Sequence, residues 1–157
     1  MTGKGGFRLP WRRGRPAAAI EHVPPPVRRH VTSVEVGPEA VGRAREAVSG
    51  HLAAAGVVPG SAFADTVLLV VSELVTNVLR HAPRSPVTDV CTTVAGGRLV
   101  VGVADAEPRL PDLTGEGTGE GLRMVTELAA AYDGDVSAEP AVGRSGKIVL
   151  VRFEIPS

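Results

Sequence analysis

From residue 31 onward the apolar positions fall into two rhythms, one suited to strands and one to helices. Val31, Val34 and Val36 read as a short strand. Gly37-Pro38 then opens a helix, proline being tolerated in a first turn, in which Val41, Ala44, Val48, Leu52 and Ala55 recur at helical spacing up to Gly56. Ser61 is placed to cap a second helix, Phe63–Ala82, with Asp65 in its first turns and Pro83 as its stop. Beyond it, Val87–Ala95 and Arg98–Ala104 flank Gly96-Gly97, the pair a tight hairpin favours. Asp105–Glu120 is rich in proline and glycine and reads as a long loop. Leu122, Val125, Leu128 and Ala129 mark a third helix ending near Gly134, and Asp135–Pro140 with Lys147–Ile155 forms a last hairpin. The order β-α-α-β-β-loop-α-β-β predicts an α+β sandwich, with helices on one face of a mostly antiparallel sheet.

Residues 1–30 show neither rhythm. They hold five prolines and scattered arginines, a composition too poor in apolar surface to offset the entropy of ordering, and predict a disordered tail. The chain of 157 residues is neutral overall, yet residues 1–34 carry a net +6 and the remainder a net −6. A basic tail is thus joined to an acidic body spanning 31–157. Phe7 and Trp11 beside Arg12, Arg13 and Arg15 could touch nucleic acid or an acidic membrane, but a solvated tail is the simpler reading. Cys91 is the one cysteine, which excludes an intramolecular disulfide and a thiolate zinc site. No uninterrupted apolar run approaches the roughly 18 residues of a membrane span. The Arg-rich start lacks the apolar core of a signal peptide. The expected compartment is the cytoplasm, with no specific nucleic acid partner.

Candidate chemistry begins on the second helix, in SELVTNVLRHA. With Glu73 at 0° and about 100° per residue, Asn77 falls near 40°, His81 near 80° and Arg80 near 340°. Val67, Val71, Leu74, Val75 and Val78 take the opposite side. An amphipathic surface helix explains that pattern by itself. A carboxylate and an amide one turn apart can also divide the work of phosphoryl transfer, one deprotonating a hydroxyl and one ligating Mg²⁺. Asp105, directly after a strand, can accept from an exocyclic amine such as adenine's. Gly115, Gly117, Gly119 and Gly121 then lead into a helix, whose first N–H groups suit phosphate.

In that order these segments resemble the GHKL ATP-binding superfamily of gyrase, heat-shock chaperone, histidine kinase and mismatch-repair ATPases. Within it they look most like the small anti-sigma-factor serine/threonine kinases and their stand-alone bacterial relatives. The resemblance covers roughly Val34–Ile155: VVSELVTNVLRHA looks like the N-box, VGVADAEPRLP like the first glycine box and GTGEGLRMV like the second. SGKIVLVRF stands where the closing strand follows a Gly-Lys or Gly-Thr pair. The resemblance implies a two-layer sandwich of the Bergerat type on a mixed, mostly antiparallel sheet, binding ATP and Mg²⁺. It makes Glu73 the general base, Asn77 the Mg²⁺ ligand and Asp105 the adenine reader. Arg80 and His81 would face the phosphates, and Gly119, Gly121 and Leu122 would form the phosphate turn. Implied partners are a sigma factor and an anti-sigma-factor antagonist, with a homodimer possible.

Two residues depart from the pattern. Ala106 stands where many members have glycine, so the backbone approaches the base less freely and modest nucleotide affinity is expected. Glu116 stands in the lid, where studied kinases carry a cation that assists transfer. Glu73 with Asn77 argues for an enzyme; Glu116 argues for a non-catalytic, nucleotide-dependent binding protein of the same fold. Gly143-Arg144-Ser145-Gly146-Lys147 echoes a P-loop but lacks its hydroxyl residue and leads into a strand. The four histidines have no ligand spacing, and Cys91 is expected to be a small core residue.

Overall fold

The computed structural model describes residues 26–114 and 119–157. Five strands form one sheet in the order β1-β2-β3-β5-β4: β1 is Arg28–Glu35, β2 Val87–Ala95, β3 Arg98–Asp105, β4 Val136–Pro140 and β5 Lys147–Glu154. All four neighbouring pairs are antiparallel, so the parallel component of a mixed sheet is not found among the described residues. Three helices, α1 (Ala40–Ala54), α2 (Ala62–His81) and α3 (Glu120–Ala130), cover one face. α1 packs on α2, β1 and β2; α2 lies over β3 and beside α3; α3 reaches β4 and β5.

Local chemistry explains several element ends. Ser61 Oγ accepts from the Ala64 N–H at 3.2 Å, capping α2 as its position predicts. Gly96 and Gly97 turn the β2–β3 hairpin at φ 58° and 77°, a conformation that side chains resist. At Gly134 a Cβ would sit 1.7 Å from the Arg152 carbonyl oxygen, so only glycine lets the chain pass from α3 into β4. Pro38 lies in a turn ahead of α1 and not in its first turn; the Ala40 N–H bonds Gly37 O at 3.0 Å there.

The expected start of the ordered body moves. β1 begins at Arg28, with Arg28, Arg29 and His30 paired to Val94, Thr93 and Thr92. Backbone pairing along an edge orders three polar residues that side-chain composition assigns to a tail. The expectation of disorder for residues 1–25 lies outside the described residues. β1 also ends one residue sooner than expected, since Val36 has left the strand to bond Pro86 O.

The core lies between sheet and helices. Val67, Val70, Val71 and Val75 of α2 are fully buried against Val90, Leu99, Val101, Val103 and Val151. Phe63 meets Tyr132 and Phe153 edge-on, with centroids 5.0 and 5.7 Å apart. By length and mean hydropathy of 1.7, α2 is apolar enough to cross a membrane. Here its apolar side is the middle of this core. Cys91 is buried on the opposite sheet face, where a Cβ on its neighbour Gly102 would approach Sγ to 2.7 Å. It is therefore outside the main core, and burial pushes its thiol pKa up.

Candidate nucleotide site

A cavity of about 260 Å³ opens between α2, the start of α3 and the ends of β3 and β5. Its apolar walls are Leu74, Val78, Val103, Leu122 and Val149. Asn77 and His81 enter from α2, Gly119 from the start of α3, and Asp105 and Lys147 from the sheet. The loop after β3 contributes Glu107, Arg109, Leu110, Pro111 and Asp112. Apolar walls with a few convergent polar groups are what a small-molecule pocket requires.

Each polar group reaches the cavity through its element. Asp105 ends β3 at the same parity as Val101 and Val103, so it points to the helix side. Its Oδ1 accepts the Glu107 N–H at 2.8 Å, turning the chain away from the sheet, while Ser85 Oγ accepts the Ala106 N–H. Gly146, at φ 125°, lies so close that a Cβ would be 2.1 Å from Asp105 O. That contact brings the start of β5 against the end of β3. Lys147 is consequently the register partner of Asp105, and its Nζ donates to Oδ1 and Oδ2 at 3.0 and 3.1 Å. The side chains of Lys147 and Asp105 are 9% and 5% exposed.

The N-cap of α3 is Gly119, which has no side chain to cap it, so among the described residues no side chain caps the first-turn N–H groups. Gly121 lies over the polar face of α2: a Cβ there would stand 2.7 Å from Glu73 Oε2 and 3.8 Å from Asn77 Oδ1. The half-buried Glu73 carboxylate therefore faces the N-terminus of α3.

Of the residues the sequence singles out, Asn77, His81, Asp105, Gly119 and Leu122 meet in the cavity wall. Glu73 and Gly121 stand beside it without lining it, and Arg80 is exposed and outside it. Glu116, with Gly115 and Gly117, lies outside the described residues. Sequence reasoning passed over Lys147, taken only as part of a Gly-Lys pair before a strand, and the polar loop residues Glu107, Arg109 and Asp112. The available signal was a lone lysine at the first position of an otherwise apolar alternation.

The residues fit a nucleotide better than a free metal. Among the described residues no cluster of three His, Cys, Asp or Glu could hold an ion alone. A Mg²⁺ would need phosphate and water oxygens for most of its shell, with Asn77 adding one protein oxygen.

Helices over one face of an antiparallel sheet, with a part-apolar cavity at the strand ends, frame the candidate site. The family model described as "Histidine kinase-, DNA gyrase B-, and HSP90-like ATPase" matches residues 63–157, and the chain belongs to that family. Membership makes this an ATP-binding domain by type. No curated protein matches the chain. Among solved structures, Acinetobacter baumannii histidine kinase AdeS is similar at 16% identity and a TM-score of 0.50, over 83% of this chain and 70% of that one. The histidine kinase domain of the Erythrobacter litoralis EL346 blue-light activated histidine kinase is similar at 18% identity and a TM-score of 0.48 over 78% of this chain. A longer chain of that kinase matches at 20% identity and a TM-score of 0.49, again over 78% of this chain. This chain spans 65% and 46% of those two chains. The likeness to AdeS is one of fold alone.

Proposed function

We propose that the protein is an ATP-dependent regulator of the anti-sigma-factor kinase type, which phosphorylates a serine or threonine on a small antagonist protein and binds a sigma factor in the cytoplasm. The observation that carries this reading is the pairing of Glu73 and Asn77, one turn apart on α2, under the N-terminus of α3. Bound ATP would supply the phosphoryl group. Glu73 takes the proton of the attacking hydroxyl, Asn77 contributes an oxygen to Mg²⁺, and the first N–H groups of α3 hold phosphate oxygens. Asp105 and the apolar wall hold the base.

The test is transfer of labelled phosphate from ATP to a protein retained on the full chain. Glu73→Gln keeps shape and hydrogen bonding but cannot take a proton, so transfer should fall by about 10²–10⁴-fold with ATP affinity nearly unchanged. Equal transfer by both proteins would remove Glu73 from the mechanism.

One observation favours a second reading, a binding protein that does not transfer phosphate. Arg80 stands outside the cavity; of the two cations that line it, Lys147 is engaged by Asp105 and Arg109 belongs to the loop after β3. Transfer draws on positive charge at the moving phosphoryl group. A wild type that binds ATP and its partner but never transfers would establish this alternative.

A further inference from the structure

We propose that Lys147 is a second base-reading residue: in the nucleotide complex its ammonium donates to ring nitrogen N1 of adenine, beside an Asp105 carboxylate that accepts from the 6-amino group. This inference rests on the ATP reading above and names a determinant of base choice at that site.

The argument is an inventory of donors and acceptors. An ammonium has three protons, and an ionised carboxylate has about four lone-pair positions. Lys147 Nζ directs two bonds at Asp105 Oδ1 and Oδ2 and a third, the longest at 3.3 Å, at the Glu107 carbonyl oxygen. Asp105 Oδ1 also accepts the Glu107 N–H. Its two positions are filled, whereas Oδ2 holds one bond among the described residues, which leaves one position. An incoming base therefore meets a single carboxylate acceptor with a cationic donor next to it. Both belong to residues that line the cavity.

A 6-aminopurine offers the complement in the same order, an exocyclic N–H donor followed by the N1 acceptor. A 6-oxopurine offers the reverse, a carbonyl followed by N1–H. The donor for N1 comes from exchanging the long bond to Glu107 O, the weakest of the three. The ion pair with Asp105 is kept, so no buried charge is stranded when the base enters.

The test measures affinities of ATP, 1-deaza-ATP and inosine triphosphate for the full chain and for Lys147→Met by titration calorimetry. The wild type should prefer ATP to 1-deaza-ATP by about tenfold or more, the weight of one charge-assisted hydrogen bond. It should also prefer ATP to inosine triphosphate. In Lys147→Met the preference for ATP over 1-deaza-ATP should vanish. Because that variant leaves Asp105 buried without its partner, its fold is checked by circular dichroism. Lys147→Met combined with Asp105→Asn removes both charges and should likewise show no preference. The proposal is overturned by equal wild-type affinity for ATP and 1-deaza-ATP, by tighter binding of inosine triphosphate, or by a preference for N1 that survives loss of Lys147. A wild type that binds no adenine nucleotide overturns the ATP reading itself, and this inference with it.

Discussion

Asp105 and Lys147 illustrate how one pair of side chains serves both folding and the site. A buried ion pair adds little over an apolar pair, but removing one partner strands the other at a cost of about 3–5 kcal/mol. Lys147→Met should therefore lower unfolding stability by about 3 kcal/mol in a urea titration, and Lys147→Met with Asp105→Asn should recover much of it. A single variant as stable as wild type would show that the pair is not held in the folded protein. Asn77 is a different case, half-buried and outside the apolar face of α2. If Asn77 supplies the proposed metal oxygen, Asn77→Ala should weaken ATP binding in Mg²⁺ and change it little in a chelator. An equal loss in both conditions would place Asn77 on the nucleotide itself. His51 couples the fold to pH. His51 stacks on His30 with ring centroids 4.5 Å apart and shares a 3.0 Å hydrogen bond with Thr92 Oγ1. Burial, and then the neighbouring His30, hold its pKa below the ordinary 6.5. A base with a lowered folded pKa stabilises the fold above its unfolded pKa, and that contribution is lost as pH falls through the folded value. Thermal midpoints should fall more steeply from about pH 7.5 to about pH 5.5 in wild type than in His51→Phe. Parallel curves would separate His51 from acid sensitivity.

Among the elements, those closed by local chemistry were legible from the sequence and those closed by distant pairing were not. Ser61 and Gly96-Gly97 act within a few residues, so the start of α2 and the β2–β3 hairpin could be read directly. The polar arc of α2 was legible for the same reason, through the helical period alone. β1 differs, because Arg28, Arg29 and His30 gain their order from the backbone of β2, more than fifty residues away. Lys147 differs too: its place opposite Asp105 depends on β3 pairing with β5 across 42 residues and on the close approach of Gly146. Arg80 shows the limit of the period itself, since an angle on a helix says which side a residue takes and not whether the cavity extends that far. These distinctions carry a prediction. Deleting residues 1–30 removes three paired strand residues and should lower the thermal midpoint, whereas deleting residues 1–25 leaves every described pair intact. Equal midpoints for the two deletions would mean that the first three pairs of β1 contribute nothing measurable.

Across the whole molecule, one sheet face is committed to the core and the strand ends to the cavity. The fold brings Asn77 and His81 from one helix, Gly119 and Leu122 from another and Asp105 and Lys147 from two strands to one apolar opening. On the proposed reading that convergence gives the family membership a physical meaning in this chain: the helical layer would hold phosphates and metal, and the sheet would read the base. The account therefore stands on the cavity being the nucleotide site. The most direct measurement is a titration of the full chain, with leucine and valine methyls labelled for nuclear magnetic resonance, against ATP with Mg²⁺. Saturable shifts concentrated at Leu74, Val78, Val103, Leu122 and Val149 are the expected result, with Val31 and Val58 on other surfaces unmoved. No shift at millimolar ATP, or shifts centred away from those five residues, would contradict it.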